Sequence, residues 1–183
     1  FIFTKIFKDL EKLITKKKNK LNHISIFVSN GIYNLKKFKN DWRFLSKSRL
    51  ERITGNLGSH YLFFLITLFG SPIKLSVEEK AYEKNKIHTA IINIKFINDI
   101  TATLFFSYST PMIDKMEFIF DNKLVLVDDL KMSVFGPRNT FSKNGLFKTQ
   151  KLINKYNYNK NTNEISLEKS ISFFLNKCSK KQS

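Results

Sequence analysis

The chain has 183 residues, 42% of them hydrophobic and 26% charged, which excludes a disordered or collagen-like protein and allows one substantial core. The formal net charge of +17 favours an anionic partner, yet only four basic residues are arginines and the excess of Lys, Asn, Ile and Phe fits an A/T-rich coding sequence. The longest mainly apolar run, Tyr61 to Phe69, is too short to span a membrane, no secretory signal opens the sequence, and the single Cys178 excludes an internal disulfide. We therefore expect a cytoplasmic protein without a membrane anchor.

The first part of the chain predicts a helix, a strand and a loop. Between Phe3 and Lys17, apolar residues recur at helical spacing with lysines between them, which indicates an amphipathic helix. Ile24 to Val28 has the composition of a β-strand. Residues Asn34 to Arg52 show no sustained period, so we expect a long loop there.

The middle of the chain predicts a buried helix followed by a sheet. Asn56 to Phe69 is apolar nearly all round, and Gly70 suits the C-terminal end of that helix. Two turns, Asn98-Asp99 and Asp121-Asn122, are short enough for hairpins between the β-rich runs that follow. Those runs are Ile73 to Tyr82, His88 to Phe96, Ile100 to Tyr108, Lys115 to Phe120 and Lys123 to Val127. We expect an antiparallel meander whose imperfect alternation leaves Ile91, Leu104 and Phe106 on the outer face.

The last part of the chain completes an α+β domain. Lys131 to Ile153 can add one or two strands, Tyr156 to Asn163 is typical of an exposed connection, and Ser166 to Cys178 returns to helical spacing before a frayed tail over 178–183. We therefore predict a single domain over residues 1–183, with a large, mainly antiparallel open sheet and helices packed on one face.

One polar cluster inside an apolar element could carry chemistry. Asn56 and His60 are four residues apart, so a helix would place them on one face at its N-terminal end. An imidazole with a pKa of about 6.5 can accept or donate a proton near neutral pH, and a hydroxyl-bearing ligand is a suitable substrate. On spacing alone, a core His60 with Asn56 as a helix cap is the simpler interpretation.

The other candidates are weaker. We expect His23 and His88 at the surface, and adjacent Asp128 and Asp129 at a hairpin edge, since neighbouring strand residues point to opposite faces. The histidines have no zinc-site spacing, and no G-x-G-x-x-G or Walker-type loop is present. The sequence thus gives no metal site and no nucleotide site within this chain.

Three segments of the sequence carry motifs that occur together in one enzyme family. Residues 41–44 read D-W-R-F, residues 55–61 read G-N-L-G-S-H-Y, and residues 67–72 read T-L-F-G-S-P. They resemble the C-terminal domain of the Gfo/Idh/MocA oxidoreductases, where a W-R-x stretch precedes a G-G-G-x-x-x-D-x-G-x-H-x-x-D helix that ends in W-L-F-G. Residues 96–102, F-I-N-D-I-T-A, are similar to the F-x-N-G-x-x-A hairpin of the family. The resemblance extends over essentially the whole chain.

The resemblance implies a role for several residues. His60 matches the catalytic histidine of the family, and Asn56 and Arg43 match positions that would bind the substrate. NAD or NADP would be bound by an N-terminal Rossmann domain that is absent from these residues, so we expect no cofactor binding by this chain alone. The chain departs from the family at Asn56 and Phe63, where aspartates are usual, and at Arg52 to Thr54, which replace most of the glycine run.

These observations predict the substrate-binding and subunit-contact domain of an NAD(P)-dependent oxidoreductase of sugar metabolism. The substrate would be a sugar, nucleotide sugar or cyclitol, and the partners would be the Rossmann domain and further copies of the chain, joined through the sheet. A noncatalytic interaction or oligomerisation module of the same fold is an alternative. A basic nucleic-acid-binding protein is another, although no motif supports specific nucleic-acid recognition.

Overall fold

An eight-stranded open sheet forms the body of the chain in this computed structural model, which describes residues 4–16, 20–35, 53–83, 86–138, 141–159 and 168–173. The strands are β1 (Leu21–Ser29), β2 (Lys74–Glu83), β3 (Lys86–Lys95), β4 (Thr101–Ser107), β5 (Ile113–Phe120), β6 (Leu124–Asp128), β7 (Lys131–Phe135) and β8 (Leu152–Asn157). Their spatial order is β2-β3-β4-β1-β5-β6-β7-β8. Every neighbouring pair is antiparallel except β1 and β4. The predicted α+β class, with a mainly antiparallel sheet, is confirmed.

The expected continuous meander is wrong at its centre, because β1 lies between β4 and β5. Ile24 of β1 pairs with Ala102 in the parallel direction and with Phe118 in the antiparallel direction. The turns at Asn98-Asp99 and Asp121-Asn122 do join hairpins, as predicted. Turn residues specify the pairing of strands that follow each other in the sequence. They therefore could not predict that β1, which lies far earlier in the chain, would insert between β4 and β5.

Side chains alternate between a buried inner face and a half-exposed outer face of the sheet. Leu104 and Phe106 belong to the inner face and are fully buried, so their predicted outer position is wrong. The outer face instead carries Ile91, Phe105 and Phe27, which the strand register aligns in one row. The period of two assigns Phe105 to the face opposite its buried neighbours.

Two helices cover the inner face. Helix α1 (Lys5–Ile14) begins at Thr4, whose hydroxyl accepts a hydrogen bond from the Phe7 amide at 3.3 Å. Helix α2 (Ser59–Phe69) ends at Gly70, which has φ +77°, a conformation that glycine adopts without strain. The ring of Phe64 in α2 lies 4.9 Å from Phe7 and 6.1 Å from Phe118, measured between centroids. One aromatic side chain therefore joins both helices to the sheet.

The C-terminal part follows the sequence prediction only in part. Strands β7 and β8 fulfil the expectation of further strands, but Tyr156 belongs to β8, where it pairs with Met132 of β7, and not to an exposed connection. Residues 168–173 are helical, within the predicted Ser166 to Cys178 helix. The remainder of that helix, the tail over 178–183 and residues 36–52 of the predicted loop lie outside the described residues.

The close approach of Gly58 to the sheet generates a stability prediction. A Cβ atom at position 58 would lie 2.8 Å from Cε2 of Phe106, whereas a Cβ atom at Gly55 would meet nothing within 4 Å. We expect Gly58→Ala to lower the free energy of unfolding by about 1–3 kcal/mol through overpacking. Gly55→Ala should be neutral or stabilising by less than about 1 kcal/mol. Urea denaturation of both variants measures the difference, and equal effects would contradict the packing account.

Candidate functional site

A turn of π-helix at Thr54–Gly58 leads directly into α2. The sequence predicted an α-helix from Asn56, so the position of the helix is confirmed and its first turn is wider than expected. Single π-helical turns are rare and are frequent at functional sites. Gly58 allows this turn to lie against Phe106, because any side chain there would collide with the ring. The helix start is thus held close to the sheet.

The two residues of the predicted pair lie on either side of the junction between π-helix and α-helix. His60 is exposed in the first turn of α2, and Asn56 is half-buried in the π-helical turn. The imidazole of His60 is accessible to a ligand from solvent, so His60 is not a core histidine. Arg43, the other predicted substrate contact, lies outside the described residues. The catalytic role of His60 and the binding roles of Asn56 and Arg43 stay predictions.

Tyr61, the residue after His60, anchors the helix start through a partly buried hydrogen bond. Its hydroxyl donates to Oδ1 of Asp114 in β5 at 2.8 Å, and its ring lies 6.1 Å from that of Phe106. Burial raises the pKa of the Tyr61 phenol, and the negative charge of Asp114 raises this pKa further. The phenol therefore remains a hydrogen-bond donor, and it fixes the orientation of the turn that carries His60.

Asp114, which is half-buried, is the acceptor of that bond. Burial raises the pKa of its carboxyl above 3.8, the hydrogen bond from Tyr61 opposes this effect, and the negative charges of Asp129 and Asp128 raise the pKa further. Asp128 and Asp129 are exposed at the β6–β7 hairpin, as predicted. Sequence spacing could not identify the Tyr61–Asp114 pair, because the two residues are 53 positions apart and meet only through the sheet.

The other two histidines occupy structural positions. His88 is fully buried against the ring of Tyr33, with 3.7 Å between centroids, so its predicted surface position is wrong. His88 lies near the start of β3, on the side of that strand that faces the core. The register of the strand therefore determines that His88 is buried. His23 is half-buried, its Nδ1 lies 2.7 Å from the hydroxyl of Thr101, and burial lowers its pKa. His60 is therefore the exposed histidine of the three.

The fold is shared with solved oxidoreductases. One is a UDP-N-acetylglucosamine 3-dehydrogenase from Acidithiobacillus ferrooxidans (13% identity, TM-score 0.59). The match covers 90% of this chain and 48% of the dehydrogenase chain. Another is an oxidoreductase from Agrobacterium radiobacter in complex with NAD+, L-tartaric acid and magnesium (15% identity, TM-score 0.61, covering 89% and 48%). A third is an inositol dehydrogenase homologue from Azotobacter vinelandii in complex with NAD+ (10% identity, TM-score 0.64, covering 83% and 41%).

These similarities concern the fold, and this chain spans about half the length of the structures it matches. No protein-family model matches the sequence, and no curated protein matches it. Within the described ranges, no group of three or more His, Cys, Asp or Glu side chains is placed to hold a metal ion. Over the same part of the chain, no helix is long and apolar enough to cross a membrane.

The raised pKa of Asp114 predicts a distinctive pH dependence of stability. Because the carboxyl binds its proton more tightly in the folded state, its contribution to stability falls as pH rises from 3.8 through the folded-state pKa. Asp114→Asn removes this effect while an amide oxygen still accepts from Tyr61. Urea denaturation across that range should show the variant gaining stability relative to the wild type as pH rises.

Asp99→Asn is the matched control with the opposite sign. The hydrogen bond and charge of Lys95 lower the pKa of Asp99, so this carboxylate stabilises the fold above 3.8 and loses that contribution as pH falls through the folded-state pKa. Its variant should therefore lose stability relative to the wild type as pH rises. The same trend in both variants would contradict the assignment.

Proposed function

We propose that this chain is the substrate-binding and subunit-contact domain of an NAD(P)-dependent oxidoreductase of the Gfo/Idh/MocA type. The observation that carries the proposal is an exposed histidine at the start of α2. The fold that presents this histidine makes up about half of the length of solved dehydrogenases. Two of these structures are a UDP-N-acetylglucosamine 3-dehydrogenase and an inositol dehydrogenase homologue. A sugar, nucleotide sugar or cyclitol bearing a secondary hydroxyl is therefore the proposed substrate class.

His60 would exchange the proton of the reacting hydroxyl. Its imidazole is exposed and can accept the hydroxyl proton during oxidation or return it during reduction. Asn56 would orient the same hydroxyl through its amide, and Arg43 would contact another part of the substrate. The bond from Tyr61 to Asp114 would keep His60 in register with the substrate by holding the helix start on the sheet.

The dinucleotide would be bound by a separate N-terminal Rossmann domain. Gly55 and Gly58 precede a helix, which superficially resembles a phosphate-binding turn, but Gly58 is packed against Phe106 and is not open to a diphosphate. This turn therefore does not fit the diphosphate of NAD or NADP. Bound to the other domain, the cofactor would supply the hydride chemistry beside His60.

The departures from the family pattern define how the proposed chemistry would differ. Asn56 carries no charge, so it can orient a hydroxyl but cannot act as a base. Phe63 is 56% exposed where family members have a second aspartate. Within the described start of α2, proton transfer would therefore depend on His60, and the exposed ring of Phe63 would present an apolar contact on the same helix.

Replacement of His60 tests the catalytic proposal. In the protein that includes the dinucleotide-binding domain, His60→Ala should lower kcat by roughly 10²- to 10⁴-fold, the range for loss of a general acid or base. His60→Gln should be nearly as slow, since the amide forms hydrogen bonds without useful proton transfer. Rates are measured by NADH or NADPH absorbance with inositol and UDP-N-acetylglucosamine as candidate substrates.

His23→Gln is the matched control, because His23 contacts Thr101 on the outer face, opposite the face covered by α2. This variant should retain near-normal turnover. If both His60 variants also turn over at the wild-type rate, the catalytic assignment fails and the noncatalytic module becomes the better interpretation.

The outer sheet face supports self-association as the subunit-contact role. Ile91, Phe105 and Phe27 form one apolar row across β3, β4 and β1, with 6.4 Å between the two phenylalanine centroids. A second copy could cover this row in a two-fold arrangement, because a two-fold interface pairs the same patch on both subunits. The adjacent Lys115 is paired with Glu117 at 2.9 Å, which reduces charge repulsion at that border.

Phe105→Lys tests this contact by placing a charge in the row. We expect the wild-type chain to sediment as a dimer or larger species at tens of micromolar, an order-of-magnitude range for such contacts, and the variant to shift toward the monomer. Ile97→Lys is the control, since Ile97 is 71% exposed in the β3–β4 turn and lies outside the row. A monomeric wild type would argue against the proposed interface.

A further inference from the structure

An open basin of about 640 Å³ lies on the outer face of the sheet, opposite the face that α2 covers. Its floor is apolar and consists of Leu124 and Leu126 from β6 and Phe135 from β7. Its walls come from the segment between β7 and β8, where Arg138 lines one part and Lys148 and Thr149 line another. The volume is within the range of about 300–1,000 Å³ that is typical of small-molecule sites.

Contacts among residues 136–138 and 141–151 hold the two arms of the wall together. The Gly136 amide donates to the Lys151 carbonyl at 2.8 Å, where the two arms leave the sheet. Farther out, Phe141 and Phe147 pair as an isolated β-bridge, and their rings stack with 5.2 Å between centroids. The wall is therefore a braced structure attached to β7 and β8.

The cations of the wall are available to a ligand. The guanidinium of Arg138 lies 4.1 Å from the ring centroid of Phe147, a cation–π contact that positions the group and leaves its edge donors for other partners. Among the described residues, no carboxylate forms an ion pair with Arg138 or Lys148. Two positive side chains and the hydroxyl of Thr149 thus border an apolar floor.

The geometry points to a binding site for a small organic anion with an apolar body. A carboxylate or phosphate head would be bound by Arg138 and Lys148, since a guanidinium fork matches the oxygens of either group. The aliphatic or aromatic body would lie on Leu124, Leu126 and Phe135, which would remove apolar surface from water. All these groups belong to one chain, so the site requires neither the catalytic proposal nor a second copy.

Phenyl phosphate is the probe that tests both halves of the site. Added to the ¹⁵N-labelled chain, it should cause saturable shifts of amide signals in residues 124–126, 135–138 and 148–150, and leave those of α2 unchanged. Inorganic phosphate and benzyl alcohol, each of which contains only one half of the probe, should bind at least roughly tenfold more weakly, because each loses one set of contacts.

Two variants separate the head from the body. Arg138→Gln combined with Lys148→Gln should weaken phenyl phosphate binding by roughly tenfold or more, since charged hydrogen bonds are lost. Leu126→Ser should weaken phenyl phosphate but leave inorganic phosphate unchanged. Lys80→Gln combined with Lys8→Gln is the control of equal charge loss, as both lysines are exposed and lie on the edge strand β2 and on α1, away from the basin. Circular dichroism melting confirms that each variant is folded.

Several outcomes would overturn the site. Equal weakening by the control pair would mean that the probe responds only to net charge. Equal affinity for inorganic phosphate would remove the role of the apolar floor, and equal affinity for benzyl alcohol would remove the role of Arg138 and Lys148. Failure of the His60 variants to change turnover would leave this site untouched, because the two proposals share no residue.

Discussion

The structure depends on how closely the start of α2 approaches the sheet. The absence of a side chain at Gly58 leaves space for the ring of Phe106. The hydroxyl of Tyr61, three residues later, donates a hydrogen bond to Asp114 in the sheet. One turn later in α2, the ring of Phe64 contacts Phe7 of α1 and Phe118 of the sheet. Removing polar groups from water costs free energy unless they are hydrogen-bonded, so the bond between buried Tyr61 and half-buried Asp114 favours one position of the helix. The orientation of His60 follows from that position.

The two faces of the sheet differ in burial and in the side chains that they present. The inner face is covered by α1 and α2, and its side chains form the core. The outer face is half-exposed and has an apolar row at its centre and the Arg138 basin toward β7. Because β1 pairs with both β4 and β5, it joins the β2–β4 part to the β5–β8 part in one sheet. Both outer features therefore lie on a single continuous scaffold.

The sequence predicted the local elements well and the long-range arrangement poorly. The apolar run before Gly70 and the turn at Asn98-Asp99 specify a helix end and a hairpin because those effects act over a few residues. The place of β1, the burial of His88 and the Tyr61–Asp114 bond depend on which strands become neighbours, and no local pattern encodes that. Helical spacing predicted His60 at the helix start, the catalytic role proposed for it came from a resemblance to a family, and its exposure came from the structure.

The central proposal is that His60, which is exposed in this structure, would be covered by a dinucleotide-binding domain docked at the start of α2. Carbethoxylation of the three histidines, followed by peptide mass spectrometry, tests it directly. In this chain alone, His60 should react fastest and the buried His88 slowest. In the protein that includes the dinucleotide-binding domain, the rate at His60 should fall while that at the half-buried His23 stays unchanged. Slow reaction of His60 in this chain, or the same His60 rate in both proteins, would contradict the account.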